Sequence, residues 1–284
     1  MNKDQEYTIR TMTLPEIDFA IEWAAREGWN PGLGDKECFF RADPEGFLIG
    51  LIDNKPAGAI SAVRYGSSFG FIGLYIVLPE YRGAAIGFRL GRAALRRLRG
   101  MTIGLDGVLE RKENYQELGF TFAYSNMRYE GTGGGKQCSH QGISELSSIP
   151  FTNLLAYDRA LFPGERKEFL ECWIRQPGST ALGISEHDRL AGYGVIRPCR
   201  SGYKIGPLFA GRPELAEQLF RALKTSVPDG SPVYLDIPEC NSAAIDLVQR
   251  HGMKVVFKTA RMYMGQQPDL SIDKIFGVTT FELG

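Results

Sequence analysis

The same succession of predicted elements occurs twice along this chain of 284 residues, and this repetition limits the possible folds more than any other feature. In each half, apolar periodicity predicts helices, then a strand hairpin, and then strands that alternate with helices. Strands and helices that alternate in this way pack as a sheet covered by helices. The sequence therefore predicts an α/β fold (α+β in some classifications) with a mixed sheet that carries helices on both faces.

A polar segment separates the two halves. Residues Glu130–Pro150 are rich in Gly, Ser and Gln, a composition typical of connections between domains. A length of 284 residues also fits two domains of roughly 150 residues each. We predict a first domain over 1–131, a linker over 132–150 and a second domain over 151–284. Residues Lys274–Leu283 are predicted to form its last strand.

Charge balance and the length of apolar runs restrict the partners. The chain has 33 Lys and Arg residues and 33 Asp and Glu residues, so its formal net charge is zero. A balanced chain is not typical of proteins that bind nucleic acid or anionic membranes in general. The first ten residues lack the apolar core of a signal peptide, and apolar stretches such as Phe69–Pro79 are too short to span a membrane. We therefore expect neither a nucleic-acid nor a membrane partner.

The cysteine pattern favours reduced thiols. Five cysteines occur, an odd number at wide spacing without a CxxC pair. They are Cys38, Cys138, Cys172, Cys199 and Cys240. This pattern predicts free thiols and a cytoplasmic location rather than the disulfide framework of a secreted protein. A histidine stands near Cys138, but the other histidines are distant in sequence, so no metal site is predicted.

A strand–turn–helix unit in the first half carries the clearest chemical signal. The long apolar strand Phe69–Val77 is followed by small residues within Arg82–Gly87 and then by an amphipathic helix that reaches Arg99. Small residues let the backbone approach a ligand, and the helix N-terminus offers unpaired N–H groups and the positive end of its dipole. The unit therefore indicates a phosphate cradle. An ordinary strand–helix turn is the structural alternative.

Two motifs resemble those of the GNAT superfamily of N-acetyltransferases. The spacing Arg82-x-x-Ala85-x-Gly87 resembles that family's Arg/Gln-x-x-Gly-x-Gly/Ala loop, with Ala85 in place of the middle glycine. The stretch YQELGF, which begins at Tyr115, is similar to the family's Tyr-x-x-x-Gly-Phe signature. The two motifs follow each other in the family's order, and the resemblance covers about residues 7–130.

The resemblance implies two tandem GNAT-like domains, each a mixed, mostly antiparallel sheet flanked by helices, and an N-acetyltransferase that uses acetyl-CoA. It also implies that the end of strand Phe69–Val77 splays from its neighbour and that an N–H near Val77 stabilises the oxyanion. The Tyr115 hydroxyl would protonate the departing CoA thiolate. The residues implied in acetyl-CoA binding are Ile76, Val77, Arg82, Gly83, Ala84, Ala85, Ile86 and Gly87.

The general base is left open by the sequence. The family often places a Glu on the strand before the cradle, but Gly73–Ile76 contains no carboxylate. Asp106 on the next predicted strand, Asp35 and Glu37 are candidates, as is a water molecule relayed through Tyr75. For Asp106, a hydrogen bond to the backbone at a strand end is the structural alternative.

The acceptor site is predicted around the loop Gly28–Gly34, where the resemblance implies an acceptor-binding loop. Trp29, Asn30 and Tyr75 are candidate acceptor contacts, and anchoring of the loop on the core is the alternative for Trp29. The acceptor is expected to be a small-molecule or peptide amine. The sequence leaves open whether the chain is a monomer or a homodimer.

The second half carries a degenerate version of these motifs. The helix beginning at Asn241 looks like the family's last helix, but Val248 stands at the tyrosine position. At the cradle position Pro213 lacks an N–H donor, and Glu214 would repel a diphosphate. We therefore expect acetyl-CoA binding in the first domain, with the second domain closing over the acceptor site. A non-catalytic acyl-CoA sensor or regulatory module is the alternative function.

Overall fold

The fold is described by a computed structural model that covers residues 6–83, 85–135 and 142–284. Its strands are β1 (Tyr7–Thr11), β2 (Phe47–Ile52), β3 (Lys55–Tyr65), β4 (Phe69–Val77), β5 (Thr102–Val108), β6 (Thr121–Thr132), β7 (Ile143–Glu145), β8 (Thr180–Glu186), β9 (Arg189–Pro198), β10 (Tyr203–Ala210), β11 (Pro232–Pro238), β12 (Lys254–Met264) and β13 (Ile275–Gly277). Its α-helices are α1 (Ile17–Arg26), α2 (Asp35–Ala42), α3 (Ile86–Arg97), α4 (Lys112–Glu117), α5 (Phe151–Arg159), α6 (Lys167–Trp173), α7 (Pro213–Lys224) and α8 (Ser242–Arg250). None of the helices in these residue ranges combines the length and the hydrophobicity that crossing a bilayer requires.

The strands join edge to edge in one mixed sheet. The order across it is β1-β2-β3-β4-β5-β12-β6-β11-β10-β9-β8-β7, and β13 pairs with β10 beside this path. The pairs β4–β5 and β10–β11 are parallel, and the other strand pairs are antiparallel. A helical crossover joins each parallel pair, α3 in the first half and α7 in the second. This arrangement confirms the predicted mixed, mostly antiparallel sheet flanked by helices.

The two halves exchange strands at the centre of the sheet. Strand β12 of the second half lies between β5 and β6 of the first half, and β6 lies between β12 and β11. Arg261 on β12 stands opposite Asp106 on β5, and Leu235 on β11 stands opposite Tyr129 on β6. Each half of the sheet is therefore completed by a strand from the other half of the chain. The division of the chain at residue 131 stays a prediction.

Helices α3 and α7 cover equivalent parts of the two halves because both carry an apolar residue at about every fourth position. In α3 and its C-cap these residues are Ile86, Leu90, Ala94 and Leu98, and in α7 they are Leu215, Leu219 and Leu223. All of them are buried, in separate hydrophobic clusters on the two halves of the sheet. The helical spacing predicted from sequence thus produces the buried faces on which each half packs.

The structure corrects the prediction for the end of the chain. Of the predicted strand Lys274–Leu283, only Ile275–Gly277 is a strand, and residues 278–284, which we call the closing segment, form turns and irregular structure. The Val278 N–H donates to the Asp236 carbonyl at 2.8 Å rather than to a strand ladder. The apolar composition of this stretch is typical of a strand. Its backbone N–H groups find hydrogen-bond partners in distant parts of the chain instead of in a neighbouring strand. Sequence analysis also misses β1, and it misses β7 within the predicted linker.

A disulfide between the two halves corrects the prediction of reduced thiols. Cys38 on α2 and Cys172 on α6 are bonded, with a Cα–Cα distance of 5.3 Å and a separation of 134 residues. Cys199 and Cys240 are free, and Cys138 lies outside the described residues. Packing of α2 on α6 brings the two thiols within bonding geometry. Sequence spacing could not indicate this pair, because no local motif links positions so far apart.

A buried ion pair holds the exchanged strand β12. Arg261 donates from Nε and Nη2 to Asp106 Oδ1 and Oδ2, at 2.8 and 2.6 Å. The two side chains are only 6% and 0% exposed. Asn126 on β6 donates from Nδ2 to the same carboxylate at 2.8 Å. One polar network therefore ties together three adjacent strands, β5, β12 and β6.

Replacing Arg261 by Met is expected to lower the free energy of unfolding by about 3–5 kcal/mol, because Asp106 would stay in the interior without its charge partner. The matched control is Arg175→Met, whose exposed pair with Glu171 should contribute less than about 1 kcal/mol. Urea unfolding of both variants measures the difference. Equal losses in the two variants would contradict a role for the buried pair in holding β12.

Candidate active site

A cavity of about 830 Å³ opens where two parallel strands separate. Strand β4 pairs with β5 only over Phe69–Ile72 and Thr102–Leu105. Just beyond this point Leu74 has a φ of +45°, and the register with β3 shifts between Ala59 and Ser61. Such a bulge bends the strand that carries it and changes its direction. Strand β4 therefore turns away from β5, and the cleft forms between them.

The turn from β4 to α3 forms one wall of the cleft. Gly83 (φ +82°) and Ala85 (φ +58°) both lie in the left-handed region, and α3 begins at Ile86. A Cβ atom at Gly83 would meet no heavy atom within 4 Å, so the space beside it is open. The first N–H groups of a helix lack partners within it, which suits this wall to a phosphate group. Gly87 also lines the cavity, whereas Ala84 lies outside the described residues.

Arginine side chains place positive charge beside this wall. Arg82 donates from Nε to the Val77 carbonyl at 2.9 Å and from Nη2 to Glu27 Oε1 at 2.6 Å. Arg92 and Arg111 also line the cavity. Sequence analysis misses Glu27, which stands 55 positions before Arg82 and lies outside the motif. Three guanidinium groups at one cleft favour an anionic ligand, and one of them is already tethered to a carboxylate.

The backbone of β4 presents polar groups to the cleft. Ile76 and Val77 both line the cavity. The Leu78 N–H donates to the Ala57 carbonyl at 3.0 Å, away from the cleft. Since successive residues of an extended strand direct their N–H groups to opposite edges, the Val77 N–H faces the cleft. The Val77 carbonyl shares that edge, which agrees with its bond to Arg82.

Tyr115 on α4 lies on another wall of the cleft. Its ring packs against Gly107 of β5, where a Cβ atom would overlap the ring. Burial raises the pKa of the Tyr115 phenol above its ordinary value, and the nearby Arg111 partly offsets this rise. The hydroxyl therefore keeps its proton at neutral pH, as a proton donor must.

Tyr75, a predicted acceptor contact, directs its hydroxyl toward helix α3. Cβ atoms at Gly87 and Gly91 would lie 3.1 and 3.3 Å from the Tyr75 hydroxyl oxygen. Burial, with a smaller contribution from the neighbouring Tyr115, raises the pKa of Tyr75 to about 12. Tyr75 is therefore neutral at pH 7 and lies between α3 and the cleft.

The carboxylates proposed from sequence are occupied or distant. Asp106 lines the cavity, but Arg261 and Asn126 engage both of its oxygens. Burial raises the pKa of Asp106, and Arg261 counteracts this effect. Asp35 is fully buried in a pair with Arg197 and does not line this cavity. Glu37 is exposed on α2, also outside the cavity lining.

The loop residues predicted to bind the acceptor have different surroundings. Trp29 lines the cavity and also packs on a hydrophobic core that both halves of the chain build. Its side chain is therefore placed both to contact an acceptor and to anchor the loop. Asn30 exchanges two hydrogen bonds of 2.9 Å with the backbone of Ser201 and does not line the cavity. Its carbonyl accepts from Lys204 Nζ at 3.0 Å. Asn30 therefore connects the loop to the second half of the chain.

The closing segment reaches the inner end of the cleft. Gly73 on β4 is required there, because a Cβ atom would overlap the Glu282 carbonyl oxygen. The Tyr65 hydroxyl donates to the Leu283 carbonyl at 2.9 Å, and Arg166 Nη1 donates to Thr279 Oγ1 at 2.9 Å. Two residues of this segment, Phe281 and Glu282, line the cavity together with Phe257 and Thr259 of β12. Sequence analysis misses these four residues, since no local signal indicates that residues 257–282 pack beside β4.

The corresponding gap in the second half is filled. Strands β10 and β11 are parallel only over Tyr203–Ile205 and Val233–Leu235, and β13 then pairs with β10 at Leu208 and Phe209. At the start of α7, Arg212 donates to Glu186 and to Glu214. Strand β13 thus fills the gap beside β10, and an ion-pair cluster stands at the start of α7.

Comparison with known proteins agrees with this geometry. Two family models match, an acetyltransferase (GNAT) family over residues 10–120 and an acetyltransferase (GNAT) domain over residues 154–277. A relative named holothin acyltransferase, from Pseudoalteromonas sp. (strain SANK 73390), is 31% identical over 284 residues, which is 100% of this chain and 97% of that protein.

Solved structures show the same fold. A candidate acetyltransferase from Pyrococcus horikoshii superposes with a TM-score of 0.83 at 24% identity, over 98% of this chain and 96% of that one. A tandem GNAT protein from the clavulanic acid biosynthesis pathway gives a TM-score of 0.63 at 14% identity, over 93% and 100% of the two chains. The chain therefore belongs to the GNAT family of acetyltransferases and is an N-acyltransferase with two GNAT domains in tandem.

Proposed function

We propose that this chain transfers the acetyl group of acetyl-CoA to the amine of a small acceptor, in the cleft between β4 and β5. The observation that carries this proposal is the splay of these strands between the start of α3 and Tyr115. The open left-handed turn at Gly83, the helix N-terminus and the arginine side chains suit the phosphates of CoA. The cavity of about 830 Å³ is large enough for a ligand of this class.

Each wall of the cleft supports one part of the reaction. Bound acetyl-CoA would supply the thioester that the amine attacks. The Val77 N–H, on the cleft edge of β4, is a donor for the oxyanion that develops on the thioester carbonyl. Tyr115, kept protonated by burial, is a donor for the departing sulfur. The geometry supports direct transfer, in which the amine and the thioester meet in one cleft.

The acceptor end of the cleft is aromatic. Trp29, Phe257 and Phe281 line it, so a flat, largely apolar amine would fit better than a highly charged one. The full-length relative is named for holothin, which makes holothin the first acceptor to test. A panel of small primary amines and a peptide with a free N-terminus completes the assay.

Replacing Tyr115 by Phe should lower kcat by about 10²–10⁴-fold, because the sulfur loses its proton donor. The affinity for acetyl-CoA, measured by calorimetry, should change little, since the ring and its packing on Gly107 remain. Thiol release from acetyl-CoA in the presence of the amine panel measures kcat. The matched control is Tyr234→Phe, on β11 in the second half, which should keep full activity. A Tyr115→Phe variant with unchanged kcat would exclude the general-acid role.

Calorimetric titration with acetyl-CoA should give one site per chain, because the gap beside β10 is filled by β13. Gly87→Asp adds negative charge at the start of α3 and should abolish binding. Gly211→Asp, two residues before the start of α7, should leave binding intact. Two sites per chain would overturn the assignment of the second half. Binding without thiol release for any amine would favour the acyl-CoA sensor instead.

A further inference from the structure

A residue with a buried carboxylate lines the cleft and belongs to no motif. Glu282 belongs to the closing segment, lines the cavity and is only 4% exposed. Its carbonyl fits against Gly73, at the bulge of β4. This part of β4, Gly73–Ile76, contains no carboxylate. The closing segment therefore places a carboxyl-bearing residue beside a stretch of β4 that has none.

Glu282 differs in its partners from other buried carboxylates of the chain. Asp106, Asp236 and Asp35 each form an ion pair with an arginine. Within the described residues, Glu282 has no such pair, and the hydrogen bond to its carboxylate comes from the Thr280 hydroxyl to Oε2. A buried carboxylate without a cation partner is costly, and such groups concentrate at functional sites. Its second oxygen, Oε1, remains for a ligand.

Thr280 and the backbone orient this carboxylate. Thr280 Oγ1 accepts from the Glu282 N–H at 2.8 Å and donates to Glu282 Oε2. The Gly284 N–H donates to the Thr280 carbonyl at 3.1 Å, which closes a turn around Glu282. The Tyr65 hydroxyl on β3 also donates a hydrogen bond to the carbonyl of the next residue, Leu283. The carboxylate is therefore held by its own turn and by the first half of the sheet.

The charges that face Glu282 are already engaged. Arg128 on β6, Arg197 on β9 and Lys204 on β10 interact with it electrostatically. Arg128 is bonded to Asp236, Arg197 to Asp35, and Lys204 to the Asn30 carbonyl. None of the three cations forms an ion pair with Glu282, because each has another partner.

We propose that Glu282 is the general base that takes the proton from the acceptor amine, an inference that rests on the proposed acetyl transfer. The amine nitrogen attacks the thioester carbonyl and forms the C–N bond, while the Glu282 carboxylate accepts a proton from that nitrogen. The C–S bond then breaks, and the sulfur takes the Tyr115 proton. Solvent returns the proton from Glu282 to the Tyr115 phenolate. The net change is one proton moved from nitrogen to sulfur.

The test replaces Glu282 by Gln, which keeps the size and the Thr280 hydrogen bond but cannot accept the proton. With acetyl-CoA and the amine that the unmodified chain acetylates fastest, kcat should fall at least about 100-fold. The Kd for acetyl-CoA, measured by calorimetry, should stay within about twofold. The pH profile of kcat/KM should differ from that of the unmodified chain, because this variant lacks one ionisable group of the cleft. Glu282→Asp should recover part of the rate, and the exposed Glu239→Gln is the matched control.

The outcomes separate this proposal from the one on which it rests. If the unmodified chain acetylates no amine, the proposed function itself fails, and the base assignment fails with it. If the unmodified chain is active and Glu282→Gln retains kcat within about threefold and the same pH profile, only the base assignment is overturned. Loss of acetyl-CoA binding in Glu282→Gln, without recovery in Glu282→Asp, would also overturn it and show that the closing segment merely shapes the cleft.

Discussion

The loss of pairing between β4 and β5 beyond Ile72 is the constraint on which the rest of this structure depends. Backbone polar groups inside a sheet need partners when their neighbouring strand departs. Arg82 donates a hydrogen bond to the Val77 carbonyl, and the closing segment packs against Gly73 at the inner end of the gap. The part that remains open has a polar backbone edge, and for that reason it is a binding cleft rather than a defect of the sheet.

A gap between two parallel strands occurs in both halves of the sheet, and it is open in the first half but filled in the second. In the second half, β13 enters the gap and pairs with β10, so that the chain fills its own cleft. The chain then continues as the closing segment and reaches the gap of the first half. One stretch, 275–284, therefore closes the second cleft and completes the first. The second half therefore contributes directly to the open cleft, because its last residues line it.

Buried charge fixes how the two halves fit together. Three buried ion pairs each join a residue of one half to a residue of the other, and they are Arg261–Asp106, Arg128–Asp236 and Arg197–Asp35. Such a pair adds little stability compared with apolar packing, but removal of one partner leaves an uncompensated charge. Misplaced strands would leave several such charges at once. The pairs therefore specify the exchange of β6 and β12, and with it the walls of the cleft.

The sequence by itself determined most of the elements and the turn before α3, because their signals are local. The spacing of Ile86, Leu90 and Ala94 indicates the helix, and small residues before it indicate a close approach to a ligand. Tertiary structure alone decided the strand exchange, the disulfide and the carboxylate in the cleft. Contacts such as Cys38–Cys172 and Arg261–Asp106 join positions 134 and 155 residues apart. Periodicity and motif spacing describe near neighbours, whereas these contacts follow from which faces become buried together.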